Sequence, residues 1–221
     1  MDPMISPTLD PRVIVGEHAA SRGARDAFTR IHARLGKLHT AEGALNADRT
    51  LDPVARSAQI ADLRLKIAAE LKPAFEKAHA QVAEALAGVE TKIDERLYSG
   101  VKTASREEIR QHVRRMPTAQ RASFVRERAR AGDAQTVAAV LTAPGYLSNL
   151  DDAGQRGLRD SIVADVAPDL HAEREELRSV SRRIENGAKA FEAAYIAARP
   201  HRGAELGRAR AKAVADASEA A

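Results

Sequence analysis

The stretch DLHAEREELRSVSRRIENGAKAFEAAYIAA, residues 169–198, carries the clearest pattern in the chain. Its apolar residues recur every seven positions, and a second set follows three residues after the middle members of the first. The first set is Leu170, Leu177, Ile184, Phe191 and Ala198, and the second is Val180, Gly187 and Ala194. A heptad repeat of this kind places both sets along one side of an α-helix, as in helices that wind around each other. The stretch therefore predicts a long, coiled-coil-like helix.

An earlier helix is predicted over residues 16–39, because its apolar residues step by four and three positions along one face. These residues are Ala24, Phe28, Ile31, Leu35 and Leu38. Before this helix, residues 1–15 contain three prolines and predict an extended arm. After it, the polar stretch TAEGALNADRT, residues 40–50, predicts a loop.

A longer helix is predicted from Pro53 to about Leu97, with Asp52 as its N-cap and Gly100 after its end. At about 1.5 Å per residue, roughly 45 residues would make a rod of about 70 Å. The register of the apolar residues shifts near Pro73, which should also kink the helix. The two seams are Val54, Ala58, Ala61, Leu65 and Ala68, and then Phe75, Ala78, Val82, Leu86, Val89, Ile93 and Leu97.

Four shorter helices are predicted between the second and third long helices. Each follows a residue that can cap a helix: Ser105 in the capping box S-x-x-E, Thr118, Asp133, and either Asp151 or Asp152. The chain is therefore predicted to be all-α: an elongated bundle of three long helices with an inserted small four-helix subdomain. The predicted segments are an arm over 1–15, a helical hairpin over 16–100, the subdomain over 101–168, a returning helix over 169–199, and a basic, alanine-rich tail over 200–221.

The formal net charge is only +4, but eight arginines and three glutamates lie within residues 105–132. These arginines could form stripes that face solvent. Three interpretations remain open: a solvated face, contact with phosphates, or contact with an acidic partner protein. Because Phe124 is the one aromatic residue here, base stacking is not favoured and any nucleic-acid binding would be non-specific. The candidate contact residues are Arg106, Arg110, Arg114, Arg115, Arg121 and Arg128.

Large apolar residues are scarce in this alanine-rich chain, yet three follow a Pro-Gly turn within VAAVLTAPGYLSNLDDA, residues 137–153. They are Tyr146, Leu147 and Leu150. One interpretation is that they fold back over the core of the short helices before an Asp cap. The other is that they form an exposed apolar knob that docks on a neighbouring subunit.

The sequence contains no recognisable catalytic motif and no cysteine, which excludes disulfides and thiolate chemistry. Glu76 and His79 have the Glu-x-x-His spacing of di-iron helical proteins, but no second pair accompanies them. We therefore expect no catalytic residue, metal or cofactor. No apolar run is long enough to span a membrane, and residues 1–12 do not match a signal peptide. The expected location is the cytoplasm or, for a phage component, the virion assembled there.

The run MPTAQRASFVRERARAGDAQTVAAVLTAPGYLSNLDDA, residues 116–153, resembles a segment of uncharacterised helical proteins of tailed bacteriophages. The shared order is an Arg-Ala-x-Phe helix, a Gly-Asp break, an alanine-rich helix, and then Ala-Pro-x-x-Leu-Ser-x-Leu. The resemblance implies a virion-associated protein present in many copies, in contact with other virion proteins and with itself, in a position that can lie beside packaged DNA. We thus expect a non-enzymatic structural or assembly protein. The alternatives are a cytoplasmic helical protein that binds nucleic acid through residues 105–132, or a helical enzyme without a recognisable motif.

Overall fold

The computed structural model describes residues 5–101 and 105–196, and these residues contain seven α-helices and no strand. The helices are α1 (Ala19–Ala47), α2 (Pro53–Tyr98), α3 (Arg106–Arg115), α4 (Thr118–Arg130), α5 (Ala134–Leu141), α6 (Asp152–Val166) and α7 (Pro168–Phe191). The prediction of an all-α protein is confirmed. None of the described helices combines the length and the apolar character that crossing a bilayer requires.

The chain divides into two compact units. Unit 1 comprises Met1–Ala83 and Ser179–Ala221, and unit 2 comprises Glu84–Arg178. The division falls inside α2 and α7, so unit 2 contains the short helices α3 to α6 together with the end of α2 and the start of α7. The predicted tail, 200–221, lies outside the described residues.

Helix α1 is longer than the sequence predicts, and the prediction of a loop over 40–50 is wrong for most of that stretch. The helix continues to Ala47 because polar residues in the predicted loop have partners in the fold. Glu42 is buried and accepts hydrogen bonds from Arg64 at 2.5 and 3.2 Å. Thr40 donates its hydroxyl hydrogen to the carbonyl of Gly36 at 3.0 Å, as threonines inside helices often do.

Helix α2 begins and ends as predicted. The carboxylate of Asp52 accepts from the amides of Val54 and Ala55 at 3.2 and 3.1 Å, and the helix continues through Pro73. The predicted register shift is wrong. A single seam with three- and four-residue steps runs through Ala68, Leu71, Phe75, Ala78 and Val82, all buried, whereas Leu65 of the predicted first seam is 48% exposed. Ile67 is buried in its place, because it lies four residues before Leu71.

Helix α7 has the predicted heptad face, and its members from Leu170 to Phe191 are buried. Beyond Phe191 the prediction fails. A π turn, Glu192–Ile196, adds a residue to the helical turn, so Tyr195 is buried and Ala194 is exposed. The last predicted heptad residue, Ala198, lies outside the described residues.

In unit 1, aromatic rings join α1, α2 and α7. The ring of Phe75 lies 5.7 Å from that of Phe28 and 5.3 Å from that of Phe191, measured between centroids. Phe191 is 5.4 Å from Tyr195 in the same way. A Cβ atom on Gly187 would lie 2.8 Å from Cζ of Phe28, so this position in the seam needs glycine to admit the ring.

The arm before α1 is described from residue 5 and is not continuously extended. Prolines open two 3₁₀ turns, Pro7–Leu9 and Pro11–Val13, since their fixed φ suits a first helical position. Asp10 caps the second turn by accepting from the amide of Arg12 at 2.9 Å. Leu9 and Ile14 are buried, and Arg25 of α1 donates to the Ile14 carbonyl at 2.9 Å. The arm is therefore part of unit 1.

In unit 2, short helices pack around a core of small branched side chains, and α5 lies against both α3 and α4. The buried residues include Val113, Val125, Val137, Val140 and Ile162. Two of the predicted caps are confirmed: Asp133 accepts from the amide of Thr136 at 3.0 Å, and Asp151 from that of Gly154 at 2.7 Å.

The other two predicted caps of unit 2 are wrong. Ser105 has a left-handed backbone, φ 63°, and makes no capping hydrogen bond, so the capping box does not form. Thr118 is the first residue of α4, and Pro117 occupies the cap position without a side-chain hydrogen bond.

Candidate docking surface of unit 2

The arginines predicted to form one solvent-facing cluster have different roles in the structure. Arg121 is the clearest correction, because it is only 6% exposed. Its guanidinium donates to the carbonyl of Asn149 at 2.9 Å and to that of Arg114 at 3.3 Å. Arg114 is in the last turn of α3, where carbonyls lack helical partners and favour a cation. Arg121 is thus a cross-link inside unit 2 and not a contact residue for a partner.

Arg106 and Arg110 are half-buried and do not match the solvent-facing stripe either. Arg110 donates to the carboxylate of Glu107 at 2.7 Å and to the carbonyl of Ala139 at 3.4 Å. The hydrogen bond from Arg110, followed by one from Gln111, holds the pKa of Glu107 below its ordinary value. The hydrogen bond to Ala139 ties α3 to α5.

Two further arginines of α4 converge on one carboxylate. Arg126 and Arg130 lie 3.3 and 2.9 Å from Oδ2 of Asp165 in α6. Their charges are therefore partly balanced within unit 2.

The exposed members of the predicted cluster are Arg114, Arg115 and Arg128. Arg128 lies over the ring of Phe124, 5.3 Å from its centroid, an arrangement that favours a cation–π interaction. The same ring has its centroid 5.5 Å from that of His112 in α3. Three of the six predicted contact residues therefore present their charge to solvent.

The turn after α5 separates the three apolar residues of the predicted knob. Tyr146 is 71% exposed, whereas Leu147 and Leu150 are half-buried against unit 2. The half-buried leucines agree with the first interpretation, the exposure of Tyr146 agrees with one feature of the second, and docking on a subunit stays a prediction. The leucines fold back, and the tyrosine projects.

This turn is held by several hydrogen bonds. The amide of Leu150 donates to the carbonyl of Gly145 at 2.9 Å, and the Gln155 side chain donates to the carbonyls of Val140 and Ala143 at 2.8 and 2.7 Å. A Cβ atom on Gly145 would lie 2.7 Å from the Leu150 carbonyl oxygen, so the close approach requires glycine. Tyr146 therefore projects from a turn that these hydrogen bonds stabilise.

Arg121 also brings this turn to the arginines of α3. One guanidinium binds the carbonyls of both Arg114 and Asn149, and the amide of Asn149 donates to the carbonyl of Tyr146 at 3.2 Å. The 3₁₀ turn Gly145–Ser148 packs on α3. We define Tyr146, Arg114 and Arg115 as the docking surface of unit 2.

A group of charged residues that sequence patterns did not indicate lies elsewhere in unit 2. Arg174 of α7 is fully buried, with Nη2 at 2.9 Å from Asp160 Oδ1 and Nη1 at 3.8 Å from Glu90 Oε1. Neither contact is a hydrogen bond, since the angle of the first is unsuitable and the second is too long, so the attraction is mainly electrostatic. Arg159 donates to Glu90 at 2.9 Å and to Asp94 at 2.8 Å. Burial lowers the pKa of Arg159, but these hydrogen bonds outweigh it and raise the pKa above its ordinary value.

A second polar group missed by sequence analysis lies in unit 1. Nε2 of His39 is 2.8 Å from the hydroxyl oxygen of Tyr195, and Nδ1 is 3.4 Å from a carboxylate oxygen of Glu42, which Arg64 also binds. These four residues come from α1, α2 and the π turn. Spacing could not reveal the group, because Tyr195 and His39 are far apart in sequence and the π turn changes the register.

The Glu-x-x-His pair in α2 forms surface contacts. His79 lies 3.5 Å from Glu185, and Glu76 lies 3.9 Å from Lys72. Across residues 5–101 and 105–196, no group of three or more histidines and carboxylates is placed to hold a metal ion.

Comparison with known proteins gives no further information about these residues. No protein-family model, no curated protein and no solved structure matches the chain. The resemblance of residues 116–153 to phage proteins therefore stays a prediction.

Proposed function

We propose that this chain is a non-enzymatic structural or assembly protein, a component of a bacteriophage particle that acts through helix packing and oligomerisation. The proposal includes the arrangement expected from the sequence, in which three long helices form a coiled-coil-like bundle and a small helical subdomain is inserted. The ring contacts between α1, α2 and α7 in unit 1 support the bundle. The partners would be other virion proteins and further copies of this chain.

The exposure of Tyr146 is the observation that carries the proposal. A tyrosine has a large apolar ring, and Tyr146 is presented to solvent on a turn fixed by hydrogen bonds. Tyrosine and arginine are enriched in the energetically dominant parts of protein interfaces, and this tyrosine is accompanied by two exposed arginines. A protein that works by docking on others would use such a surface.

Two measurements test this function. Mass spectrometry of purified particles should find the chain in many copies, and light scattering of the purified protein should find an oligomer that persists in about 0.5 M salt. Its absence from the particles would contradict the virion assignment. A monomer at every concentration measured would contradict self-assembly.

The second candidate function is a cytoplasmic helical protein that binds nucleic acid non-specifically through the 105–132 arginine cluster. The exposed Arg114, Arg115 and Arg128 favour it. Three phosphate contacts would give a logarithmic salt slope of roughly −2.7 on duplex DNA. Fluorescence anisotropy with a labelled duplex of about 20 base pairs, measured between 50 and 200 mM salt, would give that slope. Changing all three arginines to Gln should abolish the salt dependence.

A further inference from the structure

We propose that the docking surface formed by Tyr146, Arg114 and Arg115 binds an acidic protein segment, in which carboxylates surround a shallow apolar pocket that receives the Tyr146 ring. This inference rests on the proposed assembly function and specifies the chemistry of one partner. It goes beyond the arginine cluster expected from the sequence, because it excludes Arg121 and adds an aromatic residue from another element.

The geometry of unit 2 keeps the tyrosine and the arginines together. The guanidinium of Arg121 joins the carboxyl end of α3 to the residue that ends the Tyr146 turn. Because Arg121 is buried, this cross-link is shielded from competing water. The three surface side chains are consequently presented from two elements that Arg121 joins, and such preorganisation lowers the entropic cost of binding.

The charge of this surface is only partly balanced within unit 2, where Glu107 attracts Arg114 without forming an ion pair with it. Arg114 and Arg115 are exposed and form no ion pair with a carboxylate of the described residues, unlike Arg110, Arg126 and Arg130 nearby. Carboxylates of a partner are the complementary groups, and arginine binds a carboxylate through two parallel hydrogen bonds. An acidic segment therefore fits both arginines.

A protein partner fits these residues better than a nucleic acid does. Single-stranded nucleic acids are held by several aromatic side chains along a basic groove, whereas this surface displays one tyrosine. Duplex binding relies on many phosphate contacts, but Arg110 and Arg121 are committed to internal carbonyls. One exposed aromatic ring with two adjacent arginines has instead the composition of a protein-interface anchor.

The test begins with a displayed library of random 12-residue peptides, selected on the wild-type protein and depleted on the variant Tyr146→Ser. The enriched peptides should carry Asp or Glu on both sides of a large apolar residue. Enrichment of neutral or basic peptides would overturn the proposal.

The most enriched peptide is then synthesised, together with a counterpart in which Gln and Asn replace the acids. Affinities are measured by titration calorimetry. We expect the amide peptide to bind at least tenfold more weakly than the acidic one. The variant Tyr146→Ser and the double variant Arg114→Gln/Arg115→Gln should each lose at least tenfold in affinity for the acidic peptide, whereas Tyr146→Phe should retain most of it.

Matched controls carry the same chemical changes on other exposed residues: Val15→Ser removes an apolar side chain that is 64% exposed, and Arg49→Gln/Arg156→Gln removes two arginines. These controls should bind as the wild type does. Equal losses in the controls would overturn the proposal.

Two further experiments distinguish an acidic peptide from a nucleic acid and from a second copy of this chain. If a labelled random 20-nucleotide single strand binds more tightly than the peptide and depends on the same residues, the partner is a nucleic acid and the proposal fails. If the same variants abolish self-association and no peptide binds, the surface joins copies of this chain. That result would overturn the proposal of an acidic partner and leave the assembly function intact. If the chain is absent from purified particles, only the virion assignment is contradicted.

Discussion

The two units differ in what fills their interiors. Unit 1 is joined by rings on three long helices and also contains a buried polar group around Glu42. Unit 2 has short helices with small side chains, and arginines such as Arg121 and Arg174 reach between its elements. The difference shows that arginine content alone does not identify a binding surface. In a chain with few large apolar residues, long arginine side chains also bridge the gaps between helices.

The largest loss of unfolding free energy is expected when the side chain of Arg174 is removed. Changing this residue to Ala would empty a fully buried site and remove the ion pair with Asp160. Glu90 would keep Arg159 and Arg178 as partners. We expect a loss of about 2–5 kcal/mol of unfolding free energy, as for other large buried side chains changed to Ala. Urea denaturation followed by circular dichroism would measure this loss. Hydrogen exchange should locate the loss in unit 2.

Two companion variants make that result specific to the buried charge. Arg174→Met restores apolar volume and tests whether packing alone suffices. The exposed Arg156→Ala should change stability by less than about 0.5 kcal/mol. If Arg174→Ala is as stable as the wild type, unit 2 does not depend on its buried arginines and the comparison between the units fails.

The next effect concerns the ring packing of unit 1. Gly187→Ala would place a methyl group 2.8 Å from Cζ of Phe28, so the ring and its neighbours must shift, at a cost of about 1–3 kcal/mol. Gly36 in α1 is the matched control, since nothing lies within 4 Å of an added Cβ there. Gly36→Ala should be neutral or stabilise the protein by up to about 1 kcal/mol. Equal thermal midpoints for the two variants would contradict the close contact.

Features that depend on neighbouring residues in sequence could be predicted, and those that depend on distant partners could not. The bounds of α2, the heptad face of α7 and the Asp133 cap follow from local spacing and side-chain chemistry. The burial of Arg121 depends on a carbonyl 28 residues away, and no local pattern carries that information. Glu42 has its partner 22 residues later, so the extension of α1 through a polar stretch was missed for the same reason.

The candidate site shows the same limit. Its residues were all identified from the sequence, but their grouping was not. Six arginines were assigned to one cluster and three apolar residues to one knob, whereas the docking surface takes two of the former and one of the latter. Solvent exposure decides which residues belong to the docking surface, and the tertiary contacts of Arg121 and Gln155 determine that exposure.

A smaller effect is expected from the polar group of unit 1. Tyr195→Phe removes the hydroxyl that bonds to His39 at 2.8 Å and keeps the ring that packs on Phe191. The expected cost is about 1 kcal/mol, since one buried hydrogen bond is lost. Thermal unfolding would detect it, and Tyr146→Phe, on an exposed residue, should leave the midpoint unchanged. A shift of equal size in both variants would mean that the hydroxyl of Tyr195 has no special role.

The smallest effect concerns the arm of unit 1 and depends on pH. Hydrogen bonds from the Arg12 side chain, and then from its amide, lower the pKa of Asp10 to about 2 from the ordinary 3.8. Because the pKa is lower in the folded state, the charged carboxylate stabilises the fold above about pH 4, and that contribution is lost as the pH falls towards 2. The difference in thermal midpoint between the wild type and Asp10→Asn should therefore be largest near pH 5 and shrink towards pH 2. Arg12→Gln removes the side-chain part of this interaction and keeps the amide hydrogen bond, so it should show the same trend with a smaller amplitude. A difference that stays constant over this range would mean that the ion pair does not hold the arm, and that the arm is held by the burial of Leu9 and Ile14 and by the hydrogen bond from Arg25.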